Sequence, residues 1–455
     1  MTVPILASPA PLRLASPPLA VVLILMIEGV CALLLLQHSG LLKTRAAWVV
    51  STLLLVLGLG LRGAVFSYET LDYQNFLARW VEFFRQHGGF AALKYEIGNY
   101  NIPYLYFLAL FSLLPLKDLY FIKLLSTASD LLLAWGVMLL CRRFTKKNRR
   151  LIAAYFTAFF LPTVFLNSAV WGQCDSLYAA PLVLGVWCAL DGRPAESVIL
   201  AAVAFGFKLQ AVFVLPVYAV FLMTGKIRWK HVLLFPVTYL ILVLPAVCAG
   251  RPLWETVTLY FSQTGSIGSG LNYNSPSVFS VFTDIRNPAA AATVGICLAV
   301  FYMLNLLAVS WVYRDRMNDK AILALCLLFA IGIPFFLPHM HERYFYAADI
   351  FSLVLAFAVP LCFPVALLVQ FASLLGYHAY LKMRYLLLMN HGAAALIAAF
   401  ALTLLCFIGA IREGLPKRRR KRPLRDRIKF LLDKRSRAVY NCFCLEGQMR
   451  ECWNR

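Results

Sequence analysis

The chain has 455 residues, of which 61% are hydrophobic and only 14% charged, and its formal net charge is +22. Soluble domains are about 45–50% apolar and about 25% charged, so this composition excludes a soluble globular protein. Apolar runs of roughly 17–25 residues recur, each long enough to cross about 30 Å of hydrocarbon. Because backbone polar groups must be paired in lipid, the sequence predicts an all-α, polytopic helical membrane protein.

The predicted chain has three regions: a disordered lead over 1–18, an integral membrane domain over 19–411 and a basic cytoplasmic tail over 412–455. The positive charge collects in short loops and in the tail, as the positive-inside rule predicts, and does not indicate nucleic-acid binding. We expect the polybasic stretch Lys417–Arg437 to attract anionic lipid headgroups. Most of the 12 cysteines lie in apolar runs and are interpreted as small core residues.

The first apolar run, 19–37, lacks a convincing cleavage site and is interpreted as a retained span, and 46–66 returns outward. In the first outer loop, 67–102, residues 75–87 have the periodicity of a helix lying flat on the membrane. The run 103–116 is short for a span, and a full crossing would move the basic cluster after residue 141 to the outside. We therefore expect a re-entrant or surface element there.

The later elements alternate in the same way. The run 197–224 begins and ends at inner loops, which predicts a hairpin of two short helices with Phe207–Gln210 near its tip. Residues 250–288 form a second outer loop. The remaining predicted segments are 119–141, 151–167, 175–190, 231–248, 289–312, 321–337, 346–360, 362–378 and 388–411. Counted together, these are about 13 membrane segments, with the N-terminus outside and the C-terminus in the cytoplasm.

This topology places several polar clusters on the outer face. Charge close to hydrocarbon is costly, and where it is tolerated it usually marks a functional site. The densest cluster is the stretch 338–346, PHMHERYFY, between two apolar runs. The candidate site residues are Asp72, Asn99, Tyr100, Trp171, Gln173, Asp175, Lys208, Gln210, His339, His341, Glu342, Arg343 and Tyr344.

Each cluster also has a purely structural explanation. Asp72 and Asp175 could cap the helices that follow them. Trp171 could be an interface anchor, and Asn99 could shape a turn. Lys208 could snorkel or pair with a carboxylate. Convergence of all of them on one face favours a shared site.

These residue types suit one reaction class. A loop carboxylate can take the proton of an acceptor hydroxyl, which is typically worth about 10²–10⁴-fold in rate. Cationic side chains can hold a phosphate whose charge grows as it leaves. A groove at the hydrocarbon boundary suits a substrate with a lipid tail. We therefore predict glycosyl transfer from a lipid-phosphate sugar to an acceptor outside the cytoplasm.

Four stretches carry a family resemblance: LDYQNFLARWVEFFRQHGGFAALKYEIGNYNIPYLY, LNSAVWGQCDSLY, GFKLQAVFVLP and LPHMHERYFYAADI. In order, across about residues 65–380, they resemble the bacterial Gpi18-like mannosyltransferases, a branch of the GT-C superfamily of polytopic glycosyltransferases. The resemblance implies a GT-C-like fold in the cell membrane, a polyprenyl-phosphate mannose donor and an inverting mechanism. The acceptor would be a glycan, a glycolipid or a protein at the extracytoplasmic face.

The resemblance also implies residue roles. Asp72 would be the general base, and Lys208, Arg343 and His339 would bind the donor phosphate. The expected sugar and acceptor contacts are Trp171, Gln173, Asp175, Gln210, His341, Glu342, Tyr344, Asn99 and Tyr100. No cofactor is expected. The residues next to Asp72 are not acidic, so the sequence does not support a divalent metal there. Glu69 is close enough in sequence that a metal site remains an alternative.

Two other functions compete with this prediction. A secondary transporter would have ionisable groups near the bilayer midplane and repeated halves, but the sequence has no internal repeat and its polar clusters lie at span ends. A flippase or ligase for lipid-linked glycans would share an outer, phosphate-binding groove. It is the harder alternative to separate from a transferase.

Overall fold

A computed structural model describes residues 14–260, 270–282 and 284–414. Most of the predicted lead and the tail from residue 415, including the lipid-binding stretch Lys417–Arg437, lie outside the described residues. In the described part of the chain, eight helices are long and apolar enough to cross a membrane, or nine if one bent pair is counted as a span. The prediction of a polytopic helical membrane protein is therefore confirmed.

The helices follow the predicted apolar runs closely. The first nine α-helices are α1 Leu19–His38, α2 Arg45–Val65, α3 Ala78–Gln86, α4 Ile102–Phe111, α5 Asp118–Cys141, α6 Asn148–Phe159, α7 Pro162–Phe165, α8 Asp175–Leu190 and α9 Pro194–Phe207. The later ones are α10 Val217–Met223, α11 Trp229–Val232, α12 Leu234–Cys248, α13 Leu253–Val257, α14 Pro288–Val312, α15 Asp319–Phe336, α16 Tyr346–Ala358, α17 Phe363–Lys382 and α18 Met389–Glu413. Four predicted segments are apolar helices of only 10–17 residues: α4, α8, α9 and α16.

Shorter elements connect these helices. The π-helices are Tyr73–Leu77 and Leu166–Trp171. The 3-10 turns are Gly89–Lys94, Leu209–Phe213, Val278–Ser280, Arg314–Arg316 and Pro360–Cys362. Two short strands, β1 Asn272–Tyr273 and β2 Met340–His341, pair in parallel.

Several helix starts have clear local causes. The side chains of Thr44, Asn287 and Asn318 accept hydrogen bonds from backbone amides in the first turns of α2, α14 and α15. The Asn101 side chain caps α4, and a proline occupies the first turn of that helix, where no amide donor is needed. These caps satisfy amides that have no partner inside the helix.

The predicted span 151–167 is broken in the structure. Helix α6 ends at Phe159, and α7 begins at Pro162 after a bend of 44°. A proline cannot donate the helical hydrogen bond, and its ring crowds the preceding turn, so the helix stops before it. The chain then continues as the π-helix Leu166–Trp171, which delivers Trp171 to the end of the span.

The predicted hairpin over 197–224 is present. Helix α9 ends at Phe207, and Lys208 adopts an extended backbone at φ −150°. The chain then turns back, and the Tyr218 hydroxyl in α10 donates to the carbonyl of Ser197 near the start of α9, at 3.0 Å. Lys208 thus lies at the turn, as the sequence predicts.

The two ends of the helices differ in charge. At one end, Arg143 pairs with Asp191 at 3.2 Å and with Asp319 at 2.9 Å, and Lys226 lies 3.5 Å from Asp319. These residues belong to the basic loops that the sequence places on the inner side. Helix α8 runs from Asp175 at its first residue to Leu190, just before Asp191, so Asp175 lies at the opposite end. The polar clusters of the candidate site gather around Asp175.

Candidate active site

A cavity of about 350 Å³ lies at this opposite end. Distant segments form its walls, and the Asp72 amide donates to the hydroxyl of Tyr380, 308 residues away, at 3.0 Å. Its lining residues are Asp72, Phe76, Leu77, Trp80, Asn99, Tyr100, Gln173, Tyr273, Asn274, His341, Glu342, Arg343, Tyr344 and Tyr380. The first loop, the segment after Trp171 and the stretch before α16 therefore meet in one chamber.

Asp72 is held in this cavity by two side chains of a single short segment. Its carboxylate Oδ2 accepts hydrogen bonds from the Trp171 indole and from the Gln173 amide, both at 2.9 Å. The carboxylate makes no hydrogen bond to the helical turn that follows, so the capping explanation of Asp72 is wrong. With its side chain 23% exposed, the carboxylate can meet a substrate hydroxyl.

Trp171 is buried and does not anchor the protein at the membrane interface. Its side chain stacks on Tyr380, with ring centroids 3.9 Å apart and an interplanar angle of 10°. Its carbonyl accepts from the Thr70 hydroxyl at 3.0 Å, two residues before Asp72. Gly172 then reverses the chain at φ +78°, a conformation that a residue without Cβ adopts at low cost. This turn aims Gln173 back at Asp72.

Arg343 lies among three carboxylates. Its Nη1 is 3.9 Å from Asp72 Oδ2 and 3.3 Å from Glu342 Oε1, and its Nε is 3.8 Å from Asp175 Oδ2. Only the contact with Glu342 is short enough for a hydrogen bond. The buried Nε has no hydrogen-bond partner within the described residues. A guanidinium has five N–H donors, so Arg343 keeps capacity for a bound anion.

Lys208 and Asp175 form a buried ion pair behind the cavity wall. The Lys208 ammonium donates to Asp175 Oδ1 at 2.5 Å and lies 3.5 Å from Gln173 Oε1. The Asn167 amide donates to the other carboxylate oxygen of Asp175 at 2.6 Å. Of the two structural explanations offered for Lys208, snorkelling or pairing with a carboxylate, the structure shows the pairing. The cation supports Gln173 from behind and does not line the chamber.

Glu342 and His341 are adjacent but have different electrostatic environments. Burial raises the pKa of the Glu342 carboxyl to about 7, although nearby Arg343 opposes the shift. Burial, reinforced by Arg343, lowers the pKa of His341 to about 4. The imidazole is therefore neutral at neutral pH. His341 and Glu342, whose side chains lie 3.9 Å apart, do not form an ion pair under those conditions. The ring stacks on Tyr273 with centroids 4.7 Å apart.

His339 joins the segment around Gly270 and Leu271 to the site from outside the cavity. Its amide donates to the Leu271 carbonyl at 2.8 Å, and its ring Nδ1 lies 2.7 Å from the Gly270 carbonyl oxygen. His339 has φ +62°, which turns the chain immediately before strand β2. The parallel pairing of β1 with β2 then places Tyr273 beside His341.

The structure divides the predicted site residues into two groups. The cavity is lined by Asp72, Asn99, Tyr100, Gln173, His341, Glu342, Arg343 and Tyr344. Trp171, Asp175, Lys208 and His339 support this lining, and Gln210 lies beside Tyr344.

Several lining residues were missed by the sequence analysis. Tyr380 ends an apolar helix, and no local pattern distinguishes it from an interface tyrosine. Tyr273 and Asn274 belong to the polar second loop, where the run NYN was the only available signal. Trp80 belongs to the predicted flat helix, and a Cβ at Gly98 would lie 2.7 Å from its ring, so the glycine allows this close packing.

The acidic side chains near the cavity are the candidate ligands for a divalent metal. Within the described residues, no group of three or more His, Cys, Asp or Glu side chains is placed to hold a metal ion. Glu69, the remaining candidate ligand, pairs with Lys117 and accepts from Gln74 at 3.1 Å. The guanidinium of Arg343 lies among the carboxylates of Asp72, Asp175 and Glu342.

The fold and this chamber define a multi-pass membrane protein with an acid and a cation facing one cavity at the ends of its helices. The chain belongs to glycosyltransferase family 87, whose model matches residues 99–338, more than half of the 455 residues. The matched range contains Gln173, Asp175 and Lys208, whereas Asp72 precedes it and His339 follows it. No curated protein and no solved structure matches the chain. The predicted glycosyltransferase class is thus confirmed.

Proposed function

We propose that this glycosyltransferase moves a sugar, with mannose as the first candidate, from a polyprenyl-phosphate donor to an extracytoplasmic acceptor. The observation that carries the proposal is the placement of the Asp72 carboxylate and the Arg343 guanidinium in the same cavity. An inverting displacement requires one base for the acceptor hydroxyl and one positive group for the departing phosphate. The cavity supplies both.

Asp72 has the properties of the general base. Its two hydrogen bonds converge on Oδ2 and fix the orientation of the carboxylate before substrate arrives. A base positioned in this way takes the proton of the acceptor hydroxyl as the bond to the anomeric carbon forms. The electron pair of the breaking sugar–phosphate bond leaves with the phosphate.

Arg343 has the properties of the phosphate ligand. At 3.9 Å it is not hydrogen-bonded to Asp72, so phosphate oxygens can take its N–H groups without breaking a bond to the base. Its buried, unpartnered Nε is the kind of donor that a bound anion satisfies. In this scheme Lys208 acts through its contacts with Asp175 and Gln173.

The distribution of charge supports an extracytoplasmic site. The basic loops that contain Arg143 and Lys226 lie at the helix ends opposite the cavity. Because such loops stay in the cytoplasm, the cavity would face outward. A donor with its tail in the outer leaflet could then present the sugar to a glycan, glycolipid or protein acceptor.

The test is sugar transfer by the purified protein in nanodiscs, with synthetic polyprenyl-phosphate mannose or glucose and an envelope glycolipid extract. Asp72→Asn should lower kcat by about 10²–10⁴-fold, because the amide cannot accept the proton as the carboxylate does. Donor affinity and the thermal unfolding temperature should remain close to wild type. Glu82→Gln, an exposed change on α3 outside the cavity, is the matched control.

Three results would contradict the proposal. Unchanged transfer by Asp72→Asn would remove Asp72 as the base. A product with retained anomeric configuration would exclude a single inverting displacement. Movement of the lipid-linked sugar across vesicles without transfer would favour a transporter or flippase.

A further inference from the structure

Helix α5 carries a buried polar stripe that forms no part of the cavity lining. Lys123, Ser126 and Asp130 are spaced three and four residues apart, so they share one face of the helix. All three are at most 1% exposed, and α5 is one of the helices long enough to cross the membrane. Polar and charged side chains are expensive there, so their contacts need an explanation.

Lys123 contacts the segment that leads into Asp72. Its ammonium donates to the carbonyl of Tyr68 at 2.6 Å and lies 3.3 Å from the carbonyl of Val65, at the carboxyl end of α2. A cation at this position satisfies carbonyls that have no partner within the helix and is favoured by the helix dipole. Lys123 therefore fixes the chain four residues before Asp72.

Ser126 contacts the segment that holds Asp72 in place. Its hydroxyl oxygen lies 2.8 Å from the Gln173 carbonyl oxygen and 3.0 Å from the carbonyl of Ile122 in its own helix. The side chain of the same Gln173 donates to Asp72. Ser126 therefore fixes the position of the Gln173 backbone relative to the cavity.

Asp130 connects the remaining segments. Its carboxylate accepts from Arg62 at 3.0 Å, from Ser168 at 2.5 Å and from Ser176 at 2.6 Å. Arg62 belongs to α2, and the two serines lie on either side of the Trp171–Asp175 segment. The Ser176 hydroxyl is also 2.6 Å from the hydroxyl of Tyr346, at the start of the helix that follows Arg343.

We propose that the polar stripe of Lys123, Ser126 and Asp130 is a positioning element that holds Asp72, Gln173 and Arg343 in register for sugar transfer. The inference rests on the proposed roles of Asp72 and Arg343. The segments that bring Asp72, Gln173 and Arg343 to the cavity are each bonded, directly or through one hydroxyl, to this one helix. Displacing a reacting group by about 1 Å can cost about 10²-fold in rate, so such a helix has a kinetic role.

Ser126→Ala and Ser129→Ala separate positioning from bundle stability. Ser129, on the same helix, donates at 2.8 Å to Leu125 of its own helix and makes no bond to the site segments among the described residues. Both substitutions remove a hydroxyl bonded to its own helix, so similar thermal unfolding temperatures are expected. Only Ser126→Ala should lower kcat, by about tenfold or more, with the donor KM within about twofold of wild type.

Amide hydrogen exchange provides a readout that needs no substrate. Exchange over residues 66–74 and 168–175 should rise in Ser126→Ala and in Lys123→Met, and stay at the wild-type level in Ser129→Ala. Lys123→Arg keeps the charge and should recover much of the protection lost in Lys123→Met. These measurements apply even if the wild-type protein transfers none of the sugars offered, which would overturn the proposed function alone.

Two outcomes would overturn the positioning role. One is equal kcat in the two serine variants, with unchanged exchange in both segments. The other is a loss of kcat in Ser126→Ala that comes with a matching fall in unfolding temperature and exchange raised throughout the helices. The second result would make the stripe a general stabiliser of the fold.

Discussion

At Glu342, burial and a neighbouring cation act in opposite directions on one carboxyl group. Burial is the larger effect and raises the pKa to about 7, from an ordinary value of 4.5. The folded protein therefore binds this proton more tightly than the unfolded chain does. The resulting stabilisation is fully present below about pH 4.5 and is lost as the pH rises through about 7.

The loss of this stabilisation with rising pH can be measured at Glu342. Between about pH 5 and pH 8, the unfolding temperature of the wild type should fall relative to that of Glu342→Gln, which has no carboxyl to titrate. The difference corresponds to roughly 3 kcal/mol at most. Thermal unfolding in detergent at closely spaced pH values measures it. Because His341 titrates in both proteins, its contribution largely cancels, and parallel pH profiles would refute the assignment.

An ion pair links the start of helix α8 to the end of helix α9. Asp175 is the first residue of α8, Lys208 follows the last residue of α9, and the two side chains pair with little exposure to solvent. Breaking a buried ion pair on one side leaves an uncompensated charge, whereas replacing both partners is far less costly. The contact between these elements can therefore be tested by single and double substitution.

Lys208→Met should destabilise the protein by about 3–5 kcal/mol because it leaves the buried Asp175 carboxylate without its hydrogen-bonded cation, with Arg343 no closer than 3.8 Å. The double variant Lys208→Met/Asp175→Asn should recover most of that loss in denaturant unfolding. Donor affinity then distinguishes the two roles of Lys208. A stable double variant with wild-type donor KM would assign the lysine to the helix contact, and a strongly raised KM would assign it to the phosphate.

The broken span α6–α7 has one feature that the sequence predicts and one that it does not. The apolar composition of 151–167 predicts a membrane segment, and Pro162 is visible in the sequence. The sequence does not show that the chain continues as a π-helix and a glycine turn that aim Gln173 at Asp72. That geometry depends on partners from α2 and α5, which lie far away in sequence.

At the scale of the whole molecule, the separation of the basic loops from the cavity predicts an orientation. An epitope tag inserted after Lys147 should be bound by antibody only in inside-out membrane vesicles. A tag inserted after Arg384, in the loop beside the site, should be bound only in right-side-out vesicles. The physical reason is the cost of moving clustered lysines and arginines across the membrane. Binding of both tags from one side would contradict the arrangement of the helices.

Much of the candidate site was predicted from short motifs. Asp72, the WGQCDS segment and the HERY segment meet as expected, because each contains polar groups that a span end cannot hold without partners. Tyr380 and the buried Arg62–Asp130 pair were not predicted. Their importance comes from contacts made across the fold, and a tyrosine or serine in an apolar helix has no local signal for such contacts.

The sequence by itself determined the membrane class, the position of most helices and the separation of charged ends, and the residues at those ends predicted a glycosyltransferase. These follow from the length of apolar runs and from the kinds of residues at their ends, which are local properties. Only the tertiary structure decided that Lys208 stands behind the wall, that Arg343 has an unpartnered donor and that α5 connects the site segments. These features depend on which distant side chains become neighbours when the helices pack, and no single stretch of sequence contains that information.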